Sequence, residues 1–416
     1  MSTVPMSSVQ TTGAIDRSAL MHTYPDPPVT FVRGSGSWLW DTEGRGYLDF
    51  LSGLAVTSLG HAHPEVAAAV AEQARTLLHV SNLFGNSVAP ELSVTIDRLM
   101  GGGDRRAGGQ VFFANSGAEA NECAIKLARK WAGPGRHVVV STWGAFHGRT
   151  LATLHATGQP AKHAAFQPLP DGFVHVAYDD LGAMEKACAG HEVAAVLVEP
   201  IQGEAGVVSP SSDYLGALRQ LCTERGILLM VDEIQTGLAR TGRWFCFQSS
   251  GIEPDVVTMA KALGNGMPIG ACWARAEVAA AFGPGDHAST FGGQPLAAAA
   301  ARATLSVMEA EDAPGRAAKA GARLRAGLEK MPGVDAVRGA GLLLGVALAA
   351  GPNGSGAGTG YTAPAVVSAA LERGLVANAP RPDTIRLAPS LLVTDEEIDE
   401  GLAILAAAME AAGGQR

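Results

Sequence analysis

The sequence has no apolar run of the roughly 20 consecutive residues that a membrane-spanning helix needs. It also has no excess of basic residues, because 31 Lys and Arg stand against 40 Asp and Glu, for a net charge of −9. A protein that binds nucleic acid or an anionic membrane usually presents a basic surface. We therefore expect neither nucleic acid nor a membrane as a partner.

Cysteine is scarce: the chain has five, an odd number, and none stands in a CxxC spacing. This excludes a disulfide framework and a typical zinc site, and it indicates free thiols in a reducing cytoplasm. The first 20 residues are polar and lack the apolar segment of a secretion signal. We expect them to form a disordered tail and the protein to be cytoplasmic, with no bound metal.

Strand-like and helix-like patterns alternate through the middle of the chain. The strand-like runs are apolar on both faces, which is typical of a mainly parallel sheet covered by helices. The sequence therefore predicts an α/β domain. The strand-like runs lie at 110–115, 137–142, 193–200, 227–233 and 255–261, and the helix-like segments at 117–131 and 212–226.

The two ends of the chain have a different pattern. The tail combines Ala-rich helices, predicted at 296–310 and 316–331, with a short strand at 341–348. We interpret residues 21–75 and 300–416 as a smaller α+β domain, and residues 76–299 as the large domain. The glycine-rich segments 101–109 and 351–360 are interpreted as a linker and a flexible surface loop.

Four predicted strands end on polar or charged residues: Asn115-Ser116, Glu199, Asp232 and Lys261. In open α/β sheets, ligands bind beyond the carboxyl ends of the strands. The shared placement of these residues therefore predicts one site at that edge.

The segment "NSGAEANE" predicts a helix that begins at Gly117. Ser116 and Glu119 form a capping-box pattern, and Gly117 and Ala118 leave first-turn N–H groups without side-chain bulk above them. Such a helix start binds phosphate readily. An ordinary capped helix with no ligand is the alternative.

Asp232 and Lys261 carry the charges of the predicted site. A carboxylate that ends a buried strand needs a cation or an N–H donor, although a structural ion pair would also satisfy it. A desolvated lysine is a nucleophile, whereas an ordinary surface lysine is not. Glycines at 264, 266 and 270 favour the first interpretation of Lys261. A phosphate seat, a carboxylate for a ring nitrogen and a reactive amine together suit pyridoxal phosphate.

With these motifs the sequence resembles the class III aminotransferases of the fold-type-I pyridoxal-phosphate superfamily, and among them the acetylornithine aminotransferases. The resemblance extends over residues 24–410. It implies a mainly parallel seven-stranded sheet in the large domain. Its markers include "FFANSGAEANECAIKLAR", "AFHGRT", "VEPIQGEAGVV", "VDEIQTGLARTG", "AKALGNGMPIGA" and "STFGGQPLA".

The resemblance implies a role for each cofactor-binding residue. Lys261 would be the Schiff-base lysine, and Asp232 would contact the pyridine nitrogen. Thr290 would reach the phosphate from the neighbouring subunit, so the enzyme would be a homodimer with shared active sites. The remaining contacts would come from Gln235 on the ring hydroxyl, Phe146 on the ring face, and Ser116, Gly117 and Ala118 on the phosphate.

The substrate residues are also implied by the resemblance. Arg149 would bind the α-carboxylate of the amino donor, and Arg386 that of glutamate or 2-oxoglutarate. Glu204 would pair with Arg386 and mask it when the acylated donor is bound; a fixed structural salt bridge is the alternative. Tyr24, Leu54 and Ser289 would lie at the substrate end of the pocket.

The implied reaction is transamination between N2-acetylornithine and 2-oxoglutarate. The rival donors are ornithine, succinylornithine, 4-aminobutyrate and diaminobutyrate. A dinucleotide-binding oxidoreductase is a further alternative because "GAGLLLG" at 339–345 has a GxGxxxG pattern, although we interpret it as a strand with close-packing glycines. The last alternative is a non-catalytic homologue that serves as a binding module. Asn265 and Gln294 depart from the family's usual Gly and Asn, which leaves the loops near the cofactor less defined.

Overall fold

A computed structural model describes residues 17–349 and 362–413. Most of the tail predicted at 1–20 and the loop predicted at 351–360 therefore lie outside the described residues. Within the described residues, no helix is both long enough and apolar enough to cross a bilayer. All five cysteines carry free thiols, four of them buried and Cys246 half-buried.

The helices and strands alternate along most of the chain. The strands are β1 (Phe31–Ser35), β2 (Trp38–Asp41), β3 (Gly46–Asp49), β4 (Gly109–Ala114), β5 (Val138–Thr142), β6 (Phe173–Val176), β7 (Val193–Val198), β8 (Leu228–Asp232), β9 (Val256–Met259), β10 (Gly270–Arg275), β11 (Val334–Ala340), β12 (Leu343–Leu348), β13 (Leu375–Val376), β14 (Asn378–Arg381) and β15 (Thr384–Leu387). The helices are α1 (Ser52–Ala55), α2 (Pro64–Thr76), α3 (Val88–Met100), α4 (Gly117–Ala132), α5 (Leu151–Ala156), α6 (Leu181–Ala187), α7 (Tyr214–Arg225), α8 (Ala276–Ala279), α9 (Pro295–Ala310), α10 (Ala313–Leu328), α11 (Ala363–Glu372) and α12 (Asp395–Gly413).

The central sheet has seven strands in the order β4-β10-β9-β8-β7-β5-β6. The neighbours from β9 to β6 run parallel, and every residue of β5, β7, β8 and β9 is buried. Strand β10 runs antiparallel to β9 and β4, because the chain between Met259 and Gly270 is too short for a crossover helix. The prediction of a mainly parallel seven-stranded sheet is confirmed.

Helix α4 begins where the sequence predicted. The Oγ atom of Ser116 accepts from the N–H of Glu119 at 3.2 Å. The Glu119 carboxylate accepts from the N–H of Asn115 at 2.5 Å, one residue before the position that a standard capping box uses. Both bonds hold the β4–α4 turn, so the first-turn N–H groups of α4 face the carboxyl edge of the sheet.

The chain ends form two smaller sheets. One has the order β1-β2-β3-β13, in which Leu48 pairs with Leu375 and so joins the head of the chain to its tail. The other has the order β11-β12-β15-β14. The pairing of β3 with β13 brings the two ends of the chain into one sheet. The small domain formed by residues 21–75 and 300–416, and the large domain formed by 76–299, stay predictions.

Two predicted segments of the tail differ in detail from the structure. Helix α10 begins and ends three residues earlier than predicted, because the Asp312 carboxylate accepts from the N–H of Gly315 and caps an earlier first turn. The "GAGLLLG" segment, interpreted as a strand with close-packing glycines, spans the end of β11, a two-residue turn and the start of β12, with Gly341 at a φ of 52°. No helix begins there, so it lacks the strand–helix setting of a dinucleotide site.

Candidate active site

A cavity of about 370 Å³ lies beyond the carboxyl ends of β7, β8 and β9. Its size is within the usual range for a small-molecule site. The chain folds nine of the predicted site residues into its wall: Ser116, Gly117, Ala118, Phe146, Arg149, Glu204, Asp232, Gln235 and Lys261.

Asp232 ends β8 and is almost completely buried. Its Oδ2 atom accepts from Asn121 Nδ2 and from His147 Nδ1, both at 2.8 Å. Its Oδ1 atom accepts from the N–H of Ile234 at 3.0 Å. These donors compensate for the burial of a carboxylate and fix its orientation in the cavity wall.

Asn121 and His147 are functional neighbours that our sequence reasoning missed. Asn121 lies on the buried face of α4, where its Oδ1 accepts from Thr258 Oγ1 at 2.7 Å and its Nδ2 also donates to the backbone oxygen of His147 at 2.8 Å. The sequence did contain a signal: the amide of Asn121 lies within an otherwise apolar stripe of the helix. A buried amide needs hydrogen-bond partners, so its presence there indicates a specific contact.

Lys261 lies at the start of a 3₁₀ turn, Lys261–Gly264, with a φ of 40°. This left-handed backbone is unfavourable for lysine, and such strain is concentrated at functional sites. Within the described residues, its Nζ atom makes no hydrogen bond or ion pair. Burial, and then the charge of Arg386, lower the pKa of Lys261, although nearby carboxylates including Glu204 oppose this. The amine is therefore easier to deprotonate than an ordinary lysine.

The start of α4 forms one end of the cavity. The N–H groups of Gly117 and Ala118 have no intrahelical acceptor because they belong to the first turn. A Cβ atom at residue 117 would lie 2.7 Å from Ile234 Cδ1, so only glycine fits there without a shift. An anion is therefore able to approach the backbone closely.

These features suit a phosphorylated pyridine aldehyde. The helix start offers donors to the phosphate, Asp232 offers an acceptor to a protonated ring nitrogen, and Lys261 offers an amine to the aldehyde. The aromatic ring of Phe146 lies in the same wall. The donor set therefore fits pyridoxal phosphate.

Arg386 lies directly behind this wall on β15 and is almost completely buried. Its Nη1 atom donates to Glu204 Oε1 at 2.7 Å and to Gln235 Oε1 at 3.3 Å, and its Nε atom donates to Asn378 Oδ1 at 3.1 Å. Burial alone would raise the pKa of Glu204, but the charge and hydrogen bond of Arg386 outweigh it and lower that pKa. The two charges form an ion pair at the cavity.

Glu199 connects two loops of the cavity. Its Oε1 atom accepts from the N–H of Phe146 at 2.9 Å, and its Oε2 atom accepts from the N–H of Gly203 at 3.4 Å. Burial raises the pKa of Glu199 to about 7, with Asp232 adding to the rise and His147 opposing it. The sequence placed Glu199 at a strand end but assigned it no role, because the loops that it joins are distant from each other in the chain.

Besides Arg386 and Leu54, three further predicted site residues lie outside the cavity wall of a single subunit. Tyr24 is 81% exposed, and Thr290 is also exposed. Ser289 is held by neighbours instead, since its Oγ atom accepts from Asn115 Nδ2 at 3.1 Å and from the N–H of Gly292 at 2.9 Å. The contact of Thr290 was expected across a subunit interface, so its role stays a prediction.

Asn265, one of the two departures from the family pattern, has a structural role. Its φ is 46°, a left-handed conformation that asparagine tolerates better than most residues. Its side chain accepts from the N–H of Leu59 at 2.8 Å and donates to the backbone oxygen of Gly60 at 3.1 Å. Asn265 therefore ties the turn after Lys261 to the head of the chain.

Residues 20–409 match the profile of the family described as aminotransferase class-III. The chain belongs to the class-III aminotransferases. This family uses pyridoxal phosphate, so the aminotransferase described here is a pyridoxal-phosphate enzyme, in agreement with the donor set of its cavity.

The relatives of this aminotransferase cover nearly all of its length. It is 49% identical to the acetylornithine aminotransferase of Gloeobacter violaceus, over 93% of this chain and 94% of that protein. It is 45% identical to the acetylornithine aminotransferase of Methanothermobacter thermautotrophicus, over 94% of this chain and 96% of that protein.

Solved structures give the same family. The ornithine aminotransferase of Toxoplasma gondii matches with a TM-score of 0.89 and 36% identity, over 96% of this chain and 94% of that one. The acetylornithine aminotransferase of Elizabethkingia anophelis matches with a TM-score of 0.81 and 33% identity, over 95% of this chain and 97% of that one. The aminotransferase therefore has the predicted fold class.

Proposed function

We propose that this aminotransferase transfers the δ-amino group of N2-acetyl-L-ornithine to 2-oxoglutarate. The products are N-acetyl-L-glutamate 5-semialdehyde and L-glutamate, and the reaction belongs to arginine biosynthesis. The observation that carries the proposal is that relatives at 44–49% identity, matched over more than nine-tenths of the chain, bear the name acetylornithine aminotransferase.

The Glu204–Arg386 pair supports two-substrate use. The two side chains lie 2.7 Å apart in the structure. Because the amine-bearing carbon of acetylornithine has no carboxylate, this donor would leave Arg386 paired with Glu204. When 2-oxoglutarate reacts, its α-carboxylate competes for the same guanidinium. Arginine suits the exchange because its fork accepts either carboxylate. Glu204 is partly exposed, with 32% of its side chain accessible, so it has room to turn away.

The chain's own residues have separate tasks in this reaction. When bound, pyridoxal phosphate supplies an aldehyde that takes up the amino group and a ring that accepts electrons. Lys261 would hold that aldehyde and, as a neutral amine, would take the proton from the amine-bearing carbon of the substrate. Asp232 would keep the proton on the ring nitrogen, and Phe146 would cover the ring face. The first turn of α4 would hold the phosphate.

We further propose a homodimer with shared active sites. An apolar surface with three exposed side chains, Leu83, Phe84 and Phe291, lies near the β4 edge of the central sheet. Exposed apolar patches of this kind mark protein–protein contacts. Thr290 lies beside Phe291 and would reach the partner's phosphate site from there. The free thiols support a cytoplasmic location for the assembly.

Another ω-amino donor is the second candidate function. The likeness to the ornithine aminotransferase of Toxoplasma gondii favours it. Leu54, which is expected at the substrate end of the pocket and is partly exposed, argues against this candidate. Its aliphatic side chain suits the neutral acylated tail of acetylornithine better than the free ammonium group of ornithine.

A panel of donors tests the proposal. The purified holoenzyme is assayed with 2-oxoglutarate and with acetylornithine, succinylornithine, ornithine, 4-aminobutyrate or diaminobutyrate, and kcat/KM is compared. We expect acetylornithine to exceed ornithine by about tenfold or more, which corresponds to about 1.4 kcal/mol of transition-state binding. A higher kcat/KM for ornithine would move the assignment to the second candidate.

A further inference from the structure

Lys162 lies beside the cavity, although no motif pointed to it. It ends a 3₁₀ turn, Pro160–Lys162, and its Nζ atom lies 5.8 Å from the centroid of the Phe146 ring. The Arg149 guanidinium carbon lies 5.5 Å from the same centroid. Two cationic side chains therefore gather around the aromatic ring of the cavity wall.

Gln159 fixes Lys162 in this place. The Gln159 Oε1 atom accepts from Lys162 Nζ. Its Nε2 atom donates to the backbone oxygen of Ala145 at 3.1 Å. The ammonium group is thus tied to the loop that carries Phe146 and Arg149, and two of its N–H donors have no acceptor among the described residues.

Arg149 and Lys162 lack an acidic partner among the described residues. Neither Arg149 nor Lys162 forms a salt bridge with any residue in 17–349 or 362–413. The nearby acid, Glu204, is engaged by Arg386 at 2.7 Å. Burial, followed by repulsion from Arg149, lowers the pKa of Lys162, while Glu204 opposes the change. Like charges held together without a counter-charge indicate that a bound anion completes the arrangement.

We propose that Lys162, positioned by Gln159, joins Arg149, which the family resemblance already assigns to the α-carboxylate of the donor, and forms with it a two-cation site for the carboxylate at the end of the substrate remote from its reacting amine. This inference rests on the proposed function: in acetylornithine this group is the α-carboxylate, and in 2-oxoglutarate it is the carboxylate farther from the keto group. Two cations are able to bind the two oxygens of one carboxylate. The site selects amino acids over simple diamines, whose remote end is positive.

Two variants of Lys162 separate its charge from its bulk. Lys162→Met removes the charge and keeps a long chain, whereas Lys162→Arg keeps the charge. Lys186→Met, an exposed position on α6, is the matched control. Each holoenzyme is assayed with acetylornithine and with its α-carboxamide, which lacks the negative charge.

We expect Lys162→Met to lower kcat/KM for acetylornithine by about five- to tenfold, mainly through KM, as a charge-assisted hydrogen bond is lost. The carboxamide should change by less than about twofold, because its neutral remote group has no negative charge to pair with the ammonium group. Lys162→Arg and Lys186→Met should both stay close to the wild type. Equal losses for acid and carboxamide would overturn the proposal, since a merely structural lysine would affect both.

Equilibrium binding of glutarate, a five-carbon dicarboxylate, gives a readout without turnover. Calorimetry should show about five- to tenfold weaker binding to Lys162→Met than to the wild type or the Lys186→Met control. An unchanged affinity would refute the role of Lys162. If the wild type prefers a donor other than acetylornithine, the proposed function fails, but the glutarate comparison still decides the role of Lys162.

Discussion

At the scale of single residues, the acids of the cavity are paired with side chains other than its lysine. Asp232 is satisfied by Asn121 and His147, and Glu204 by Arg386. Lys261 is thereby left without an ion-pair partner among the described residues, and burial lowers its pKa. The neighbours of the acids therefore keep the Lys261 amine available as a nucleophile, because a direct salt bridge would hold it protonated.

Replacing Lys261 tests its role directly. Lys261→Ala should lower kcat by at least about a thousandfold, because both the covalent anchor and the proton carrier are lost. Borohydride reduction and peptide mass spectrometry should find a pyridoxyl group on residue 261 in the wild type. The exposed Lys319→Ala is the control and should keep its activity and its adduct. Near-normal turnover of Lys261→Ala would contradict the assignment.

Asp232→Asn tests the charge at the ring nitrogen. We expect kcat to fall by about a hundredfold or more, because a neutral amide no longer holds the pyridinium proton. Stability should fall by about 1–3 kcal/mol, since an amide has a single oxygen for the donors that surround it. Single-turnover rates and thermal melting measure the two effects. Asp213→Asn, at an exposed position, serves as the control, and an unchanged rate at position 232 would exclude the proposed contact.

Glu233 makes stability depend on pH. Burial raises the pKa of Glu233 to about 7, although hydrogen bonds from Thr236 and from the N–H of Phe247 oppose the rise. An unfolded chain releases this proton near pH 4.3. Between about pH 4.5 and about pH 7 the folded state therefore holds more protons, and stability falls as the pH rises through that window.

Glu233→Gln removes this titration. Its melting temperature relative to the wild type should rise from about pH 5 to about pH 8, by the equivalent of about 1–3 kcal/mol. Glu185→Gln is the control for the loss of an exposed negative charge. A pH profile of Glu233→Gln parallel to that of the wild type would show that residue 233 does not titrate in this range.

At the scale of elements, the start of α4 joins folding to ligand binding. The Ser116 cap satisfies the N–H of Glu119, while the N–H groups of the two preceding residues stay available at the cavity. The same local signal that begins the helix therefore leaves donors for a phosphate. The phosphate end of the site could be predicted from the sequence because it depends on contiguous residues.

Ser116→Ala and Asp180→Ala compare two helix caps. Each should lower stability by about 1 kcal/mol, because the Asp180 carboxylate caps α6 as Ser116 caps α4. Only Ser116→Ala should weaken pyridoxal phosphate binding, by about three- to tenfold, in a spectroscopic titration of the apo-protein. Equal affinities of the two variants would place the phosphate elsewhere.

At the scale of the whole molecule, one subunit leaves parts of the predicted site unassembled. Thr290 is exposed beside the apolar surface of Leu83, Phe84 and Phe291. An apolar surface beside a predicted cofactor contact is typical of a site completed by a second copy of the chain. The proposed active site therefore depends on the proposed dimer.

Phe84→Glu should disrupt that dimer. We expect light scattering after size exclusion to show a monomer or a concentration-dependent mixture, with activity falling on dilution. Val174→Glu, on the opposite edge strand β6, is the control and should remain dimeric. A fully active, dimeric Phe84→Glu would exclude this surface as the interface.

The sequence by itself determined the parallel strands, the capped helix and the polar residues at the strand ends, because each depends on neighbours within one segment. The pairing of β10 with β4 and the Asn121–His147 support of Asp232 were decided only by the tertiary structure. Residues distant in the chain meet there, and no local pattern encodes which partner each will find. The same reason applies to Lys162, whose place beside Phe146 and Arg149 depends on how the loops pack.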